Sequence, residues 1–146
     1  MSQLTTGGAE FSELLVEVFR VNGLLLSAGD ELSRPSGLTS ARWQILGVID
    51  HDPATVAQVA RTMGLTRQTV QQTANALARD DMIVFQDNPR DRRARVMALT
   101  PRGRVALRQV ERRQAVWANT VAARMAVTEL RAATGTLRDL ADLLDS

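Results

Sequence analysis

The sequence lacks cysteine, lysine and tyrosine, and it has one histidine, two Trp and three Phe. Without cysteine the chain forms no disulfide and offers no thiolate nucleophile, and a zinc site would depend on His51 and carboxylates alone. No phosphate-binding glycine loop and no spaced set of metal ligands is present. We therefore expect neither a metal site nor a cofactor.

Long hydrophobic runs are also absent. No apolar stretch approaches the roughly 18 residues of a membrane span, and the N-terminal MSQLTTGGAE has no basic region followed by an apolar segment. We expect a cytoplasmic protein without a membrane partner. Alanine, leucine and valine are abundant instead, at helical spacing over most of the 146 residues, which predicts one compact, mainly α domain.

Because lysine is missing, all 18 basic residues are arginine. The formal net charge is only +2, and the pI near 10.8 exaggerates it because almost nothing titrates between the α-amino group and arginine. The location of the charge is more informative. Residues 61–113 hold twelve arginines and five acids, a net of +7, whereas residues 1–60 hold three and seven, a net of −4. An anionic partner would therefore bind the middle of the chain.

This middle segment begins with the pattern of two short helices, VAQVARTM and TRQTVQQTANALARD. Ala60, Gly64 and Val70 have the spacing of a helix-turn-helix, in which a small residue allows close approach and glycine makes the turn. Val70, Ala74 and Leu77 take the inward face of the second helix. The outward face carries groups that can pair with base edges in a major groove, namely Arg67, Gln68, Gln71, Gln72 and Asn75.

A hairpin is predicted next, because IVF and RVMAL alternate as two short strands around the loop QDNPRDRRA. Thr100 can cap a long helix after it, with Pro101 at the first position. Upstream, Thr39 or Ser40 can cap a helix that runs to about Ile49, and we expect the following HDPAT to be a turn.

Both ends of the chain have apolar residues that predict a second subunit. The first helix carries apolar side chains on more than one face, and a partner subunit is the simplest way to cover them. The last segment has a helix-helix contact pattern, with steps of three and four between Leu130, Ala133, Leu137, Leu140 and Leu144. We expect a homodimer.

The order helix, turn, helix, strand, loop, strand is that of a winged helix-turn-helix. In LTSARWQIL, VAQVARTMGLTRQTV and NPRDRRARVMALTPRG, the chain resembles the multiple antibiotic resistance regulator (MarR) family over nearly its whole length. The resemblance implies a mainly α, dimeric fold with a small β-hairpin wing. It also implies a ligand-responsive repressor that binds a pseudo-palindromic operator in double-stranded DNA. Residues 1–34 and 101–146 would dimerise, and residues 35–100 would bind DNA.

The resemblance also assigns roles to single residues. Asp91 would brace the wing, Arg93 would enter the minor groove, and Arg90 and Arg92 would lie near phosphates. A crevice between the dimer helices and the DNA-binding lobe would take a small aromatic or anionic effector, with Phe19, Asn22, Trp43 and Leu46 as its lining. The DNA-binding set is Thr66, Arg67, Gln68, Thr69, Gln71, Gln72, Asn75, Arg90, Asp91, Arg92, Arg93 and Arg95.

The chain departs from the family pattern at three places, with Gln72 where arginine is frequent, Asn75 where an acid is frequent, and Asp81 and Met82 where glycine is frequent. Because aspartate can adopt the left-handed conformation, we expect the hairpin to survive the loss of glycine. Operator preference cannot be copied from relatives.

Two other classes of function stay open at this point. An enzyme would have to rely on His51 beside Asp52 in an apparent turn, or on the adjacent acids Asp80 and Asp81, which do not converge on a common substrate. A winged-helix adaptor that binds protein rather than DNA would not need the outward amides and the arginine-rich loop.

Overall fold

The computed structural model describes residues 3–146, which form a mainly helical protein with one small antiparallel sheet, as predicted. The chain divides into two compact units, one that ends at Val110 and one formed by residues 111–146. The elements in chain order are α1 (Thr6–Ser33), a 3₁₀ turn (Arg34–Ser36), α2 (Ser40–Ile49), β1 (Ala54–Thr55), α3 (Val56–Met63), α4 (Arg67–Arg79), β2 (Ile83–Gln86), β3 (Val96–Leu99), α5 (Pro101–Ala122) and α6 (Val127–Asp145).

The hydrophobic core lies in the first unit, where α2, α3, α4, the sheet and the beginning of α5 each contribute side chains. Its largest fully buried residues are Ile45, Leu46, Leu77, Ile83, Met97 and Leu107. The core packs against the inner face of α4, the second helix of the helix-turn-helix. This packing fixes the position of the residues on the outer face of α4.

Helix α2 begins at the predicted cap. The hydroxyl of Thr39 accepts the backbone N–H of Arg42 at 3.2 Å. Ser40 does not cap the helix with its side chain. Its hydroxyl donates to the carbonyl oxygen of Leu26 at 2.6 Å, which joins α2 to α1. The helices approach closely here, since a Cβ added to Gly29 would overlap the Ser40 hydroxyl.

Helices α3 and α4 form the predicted helix-turn-helix. Gly64 ends α3 with φ 67°, and its N–H bonds back to the carbonyl of Ala60. Ala60 and Val70 are buried between the helices. Helix α3 begins with a capping box, in which the Thr55 hydroxyl accepts the N–H of Gln58 at 3.1 Å and the Gln58 side chain accepts the N–H of Thr55 at 2.9 Å.

The sheet has three strands in the order β1-β3-β2. The predicted hairpin is formed by β2 and β3, with Phe85 opposite Met97, and the loop between these strands is the wing. The prediction of a turn over all of HDPAT was wrong, because its last two residues, Ala54 and Thr55, pair with β3 as strand β1. Two residues show no alternation of their own, and it is pairing with a distant strand that makes them extended.

The wing is attached to the end of α4 through a tight turn. Asp81 has φ 58°, which confirms that aspartate takes the left-handed conformation here. The Thr100 hydroxyl donates to the carbonyl of Asp81 at 2.6 Å and accepts the N–H of Gly103 at 2.9 Å, so it caps α5 as predicted. A Cβ added to Gly103 would overlap the carbonyl oxygen of Met82. The beginning of α5 is therefore packed directly against this turn.

A small ion cluster joins the end of α2 to α5. The Arg108 guanidinium donates to both carboxylate oxygens of Asp50, at 2.9 and 3.1 Å, and Arg104 lies 3.6 Å from the same carboxylate. The hydrogen bonds from Arg108 hold the pKa of Asp50 below its ordinary value, against the opposing effect of burial. Two arginines of the positive segment 61–113 thus already have an acidic partner within the fold.

Large apolar side chains are exposed in both units. In α1 only Gly29 and Ser33 are buried, and Phe19 has 70% of its surface exposed. In α6 no residue is buried, and Leu143 and Leu144 are 74% and 73% exposed. Surfaces of this kind are typical of protein-protein contacts.

Candidate nucleic-acid interface

Helix α4 has one buried and one exposed face, as its sequence predicts. Val70, Ala74 and Leu77 have at most 1% of their surface exposed. The N-cap of the helix is Thr66, whose hydroxyl accepts the N–H of Thr69 at 3.1 Å and donates to the Thr69 hydroxyl at 2.8 Å. Both threonines therefore stabilise the start of α4.

The exposed face of α4 carries the amides and the arginine that were predicted to face outward. Arg67, Gln68, Gln71, Gln72 and Asn75 are all exposed. The Gln71 side-chain nitrogen donates to the Asn75 side-chain oxygen at 2.8 Å, one helical turn further along. The face thus presents hydrogen-bond donors and acceptors over two turns of a rigid element.

The wing loop is held by hydrogen bonds from side chains to its own backbone. The Asn88 side chain accepts the N–H of Arg90 at 3.0 Å, and the Asp91 carboxylate accepts the N–H of Arg93 at 2.9 Å. These are Asx turns, which fix the backbone while leaving the arginine side chains free of the loop. Arg90, Arg92 and Arg93 are all exposed.

Arg95 is held more tightly than the arginines at the tip. It lies directly before β3, and its Nη2 donates to the carbonyl oxygen of Phe85 at 3.0 Å on the partner strand. Its guanidinium carbon also stands 5.5 Å from the centroid of the Phe85 ring, a cation-π contact. Arg95 is therefore oriented at the base of the wing before any ligand arrives.

Helix α4 and the wing enclose a groove of about 650 Å³. The groove brings together six residues of the predicted DNA-binding set, namely Arg67, Gln68, Gln71, Asn75, Arg93 and Arg95. The other six of that set lie outside its lining, namely Thr66, Thr69, Gln72, Arg90, Asp91 and Arg92. The α4 side of the groove thus offers amides and the guanidinium of Arg67, and the wing side offers the guanidinium groups of Arg93 and Arg95.

Sequence reasoning missed the rest of the lining. Thr55, Val56 and Ala57 enter from the beginning of α3, and Phe85 and Ala94 enter from the wing. The Thr55-x-x-Gln58 capping box was a signal for the helix start, but its nearness to α4 depends on tertiary packing. Backbone N–H groups at a helix start favour anions, so this edge adds to the positive character of the groove.

The four residues predicted to line an effector crevice have different surroundings. Leu46 is fully buried in the core, and Trp43 is half-buried beside Gly29 of α1. Phe19 and Asn22 are exposed on α1. An effector that touches Leu46 would have to open the core, and the crevice stays a prediction.

The described residues contain neither a membrane-spanning helix nor a cluster of metal ligands. Within residues 3–146 no helix is both long and apolar enough to cross a bilayer. In that range there is also no group of three or more His, Asp or Glu side chains that could hold a metal ion.

Comparison with known proteins agrees with this geometry. Residues 36–94 match the family model of the MarR family. The chain is similar to the uncharacterized protein Rv2011c of Mycobacterium tuberculosis, with 36% identity over 129 residues, 88% of this chain and 90% of that protein.

Solved structures of transcription regulators share the fold. The M. tuberculosis transcriptional regulator MosR, in complex with DNA, is 25% identical with a TM-score of 0.75, over 89% of this chain and 96% of that one. CouR from Rhodococcus jostii RHA1, bound to p-coumaroyl-CoA, is 24% identical with a TM-score of 0.77, over 85% and 88%. Proteins of this group regulate transcription and are not enzymes, and the chain belongs to the MarR family of winged-helix, DNA-binding transcription regulators.

Proposed function

We propose that the protein is a repressor that binds a pseudo-palindromic operator as a homodimer, acts in the cytoplasm and responds to a small aromatic or anionic effector. The observation that carries the proposal is the groove between α4 and the wing, with amides and Arg67 on the α4 side and Arg93 and Arg95 on the wing side. Amides discriminate base edges in the major groove, whereas arginines supply attraction to phosphates and to a narrow minor groove.

The charge of the wing supports DNA as the partner. Among the described residues, no ion pair involves an arginine of the wing loop, whereas Arg104 and Arg108 pair with Asp50. Exposed, uncompensated guanidinium groups that lie beside a base-reading helix are suited to a polyanion. In the proposal Arg93 enters the minor groove, Arg90 and Arg92 lie near phosphates, and Asp91 keeps the loop in shape.

The exposed apolar surfaces support a dimer. Val16, Phe19 and Leu24 of α1 are more than half exposed, and α6 exposes Leu143 and Leu144. A second copy would cover such surfaces, with residues 1–34 and 101–146 forming the dimer and residues 35–100 binding DNA. A two-fold axis would place two copies of α4 in successive major grooves, about 34 Å apart, which requires a pseudo-palindromic operator.

Effector control is supported by the p-coumaroyl-CoA bound to CouR. In this chain the effector would bind a crevice whose surface includes Phe19, Asn22 and Trp43. A ligand that binds the two states of a dimer unequally would shift the spacing of the α4 helices and thereby the operator affinity.

The test is selection of bound DNA from a random pool with the purified protein. We expect enrichment of an inverted repeat whose half-sites are one helical turn apart. Sedimentation should give twice the 16.0 kDa chain mass. Transcription in vitro from a promoter that carries the selected operator should fall when the protein is added. Recovery of unenriched DNA, or of a single half-site by a monomer, would contradict the proposal.

A further inference from the structure

The amides on the exposed face of α4 are not equivalent. Gln71 and Asn75 are joined by a 2.8 Å hydrogen bond and both line the groove. Within the described part of the chain, no hydrogen bond holds the side chain of Gln68 or Gln72, and Gln72 lies outside the groove lining. Gln71 is therefore the glutamine of this face whose amide is oriented before DNA binds.

Because Gln71 is the donor in this hydrogen bond, its amide oxygen is not used by it. A primary amide has two N–H donors and one oxygen acceptor, and the bond to Asn75 uses one N–H. The oxygen and the other N–H remain. A bidentate contact with adenine needs one acceptor for its N6 amino group and one donor for N7. An amide that bonds to Asn75 through the N–H trans to its oxygen still has both on one edge.

We propose that Asn75 is a positioning residue that presents the amide of Gln71 to an adenine in the major groove. The inference rests on the proposed function, in which α4 reads the operator. A glutamine side chain has several rotatable bonds, and fixing it in the free protein lowers the rotamer entropy that binding would otherwise cost. Asn75 contributes to specificity through Gln71 rather than through a base of its own.

The experiment compares base preference in five variants by binding to the selected operator and to its single-base variants. Gln71→Ala should lower the preference for adenine at one base pair in each half-site by about tenfold. Asn75→Ala should lower the preference at that same base pair. The double variant should be no less selective than Gln71→Ala alone, because Asn75 acts through Gln71.

Two variants serve as controls. Asn75→Asp keeps an acceptor but cannot donate, so it should retain the adenine preference while its negative charge weakens binding to every sequence. Gln72→Ala removes an amide of the same size from the same exposed face and leaves the Gln71–Asn75 hydrogen bond in place. It should not change the adenine preference at the base pair that Gln71 reads. Asn75 is exposed and alanine favours helices, so Asn75→Ala should fold.

The hydrogen bond itself can be followed without DNA. In ¹⁵N NMR spectra of the free protein, the side-chain amide signals of Gln71 should shift in Asn75→Ala and return toward the original position in Asn75→Asp. Unchanged Gln71 signals in Asn75→Ala would overturn the inference and leave the proposed function intact. If Asn75→Ala lowers the preference at a different base pair from Gln71→Ala, the inference is also overturned and the proposed function stays intact, since Asn75 would then read its own base. A wild-type protein that enriches no sequence would overturn both.

Discussion

Replacing Arg93 by alanine tests the wing most directly. Arg93 is exposed at the groove, and the bond from the Asp91 carboxylate goes to its backbone N–H, which alanine retains. The loop should therefore keep its shape while the guanidinium is lost. We expect binding to every sequence to weaken, by on the order of 1–3 kcal/mol for a lost arginine contact.

The magnitude of the salt effect follows from the number of wings. A guanidinium in the minor groove also neutralises the phosphate charge that flanks the groove. One neutralised charge per Arg93 contributes about 0.9 to the slope of log affinity against log salt, so the variant should lose about 1.8 for the two wings of a dimer. Between roughly 50 and 200 mM salt, this makes the affinity of the wild type fall about tenfold more than that of the variant. Fluorescence anisotropy on the selected operator and on random DNA at several salt concentrations measures both quantities.

Two further variants separate charge from position. Arg112→Ala removes the same charge from an exposed position of α5 outside the groove lining, and it should leave the slope nearly unchanged. Arg93→Lys keeps the charge without the planar fork and should restore most of the slope. If Arg93→Ala binds with unaltered affinity and slope, the wing is a solvated turn and the role assigned to it is wrong.

Three further predictions concern stability and assembly. In urea unfolding, Gly103→Ala should destabilise the protein by about 1–3 kcal/mol, because the added Cβ would overlap a backbone carbonyl. Gly47→Ala should stabilise the protein by up to about 1 kcal/mol, because Gly47 lies in a helix with open space around it. Equal effects of the two changes would contradict this packing. Arg108→Ala should cost about 1–2 kcal/mol at pH 7. Because the pKa of Asp50 is lowered in the folded state, the ion pair stabilises the protein fully above the unfolded pKa of about 3.9. This stabilisation is lost as the pH falls through the lower folded pKa. The stabilities of the variant and the wild type should therefore converge in acid. Leu137→Asp should give the mass of one chain in sedimentation, since an unpaired charge in a dimer seam is costly, and an intact dimer would remove Leu137 from the interface.

Local signals predicted much of the fold. Thr39 and Thr100 each precede a helix and each caps it, and Gly64 ends α3 in the left-handed conformation. The left-handed φ of Asp81 was also predictable, because the hairpin needs that conformation whichever residue occupies the position. These features depend on a few neighbouring residues, which is why the sequence alone is sufficient for them.

Features that depend on distant pairing were not predictable. Strand β1 exists because Ala54 and Thr55 pair with β3, about forty residues away along the chain. The contribution of α3 to the groove and the anchoring of Arg95 on Phe85 also arise from packing between elements. Periodicity assigned the outward amides of α4 to one face, but only the structure separates Gln71, which is bonded to Asn75, from its neighbours.

The two faces of α4 also determine how such a regulator can acquire new targets. A change at Gln68 or Gln72 alters an exposed side chain and should change stability by no more than about 0.5 kcal/mol, whereas truncation of the buried Leu77 would cost about 2–5 kcal/mol. After gene duplication, the reading residues can therefore diverge in small steps while every intermediate stays folded. A library randomised at the exposed positions of α4, with Val70, Ala74 and Leu77 kept, should consist mostly of folded proteins from which regulators with mutually independent operators can be selected.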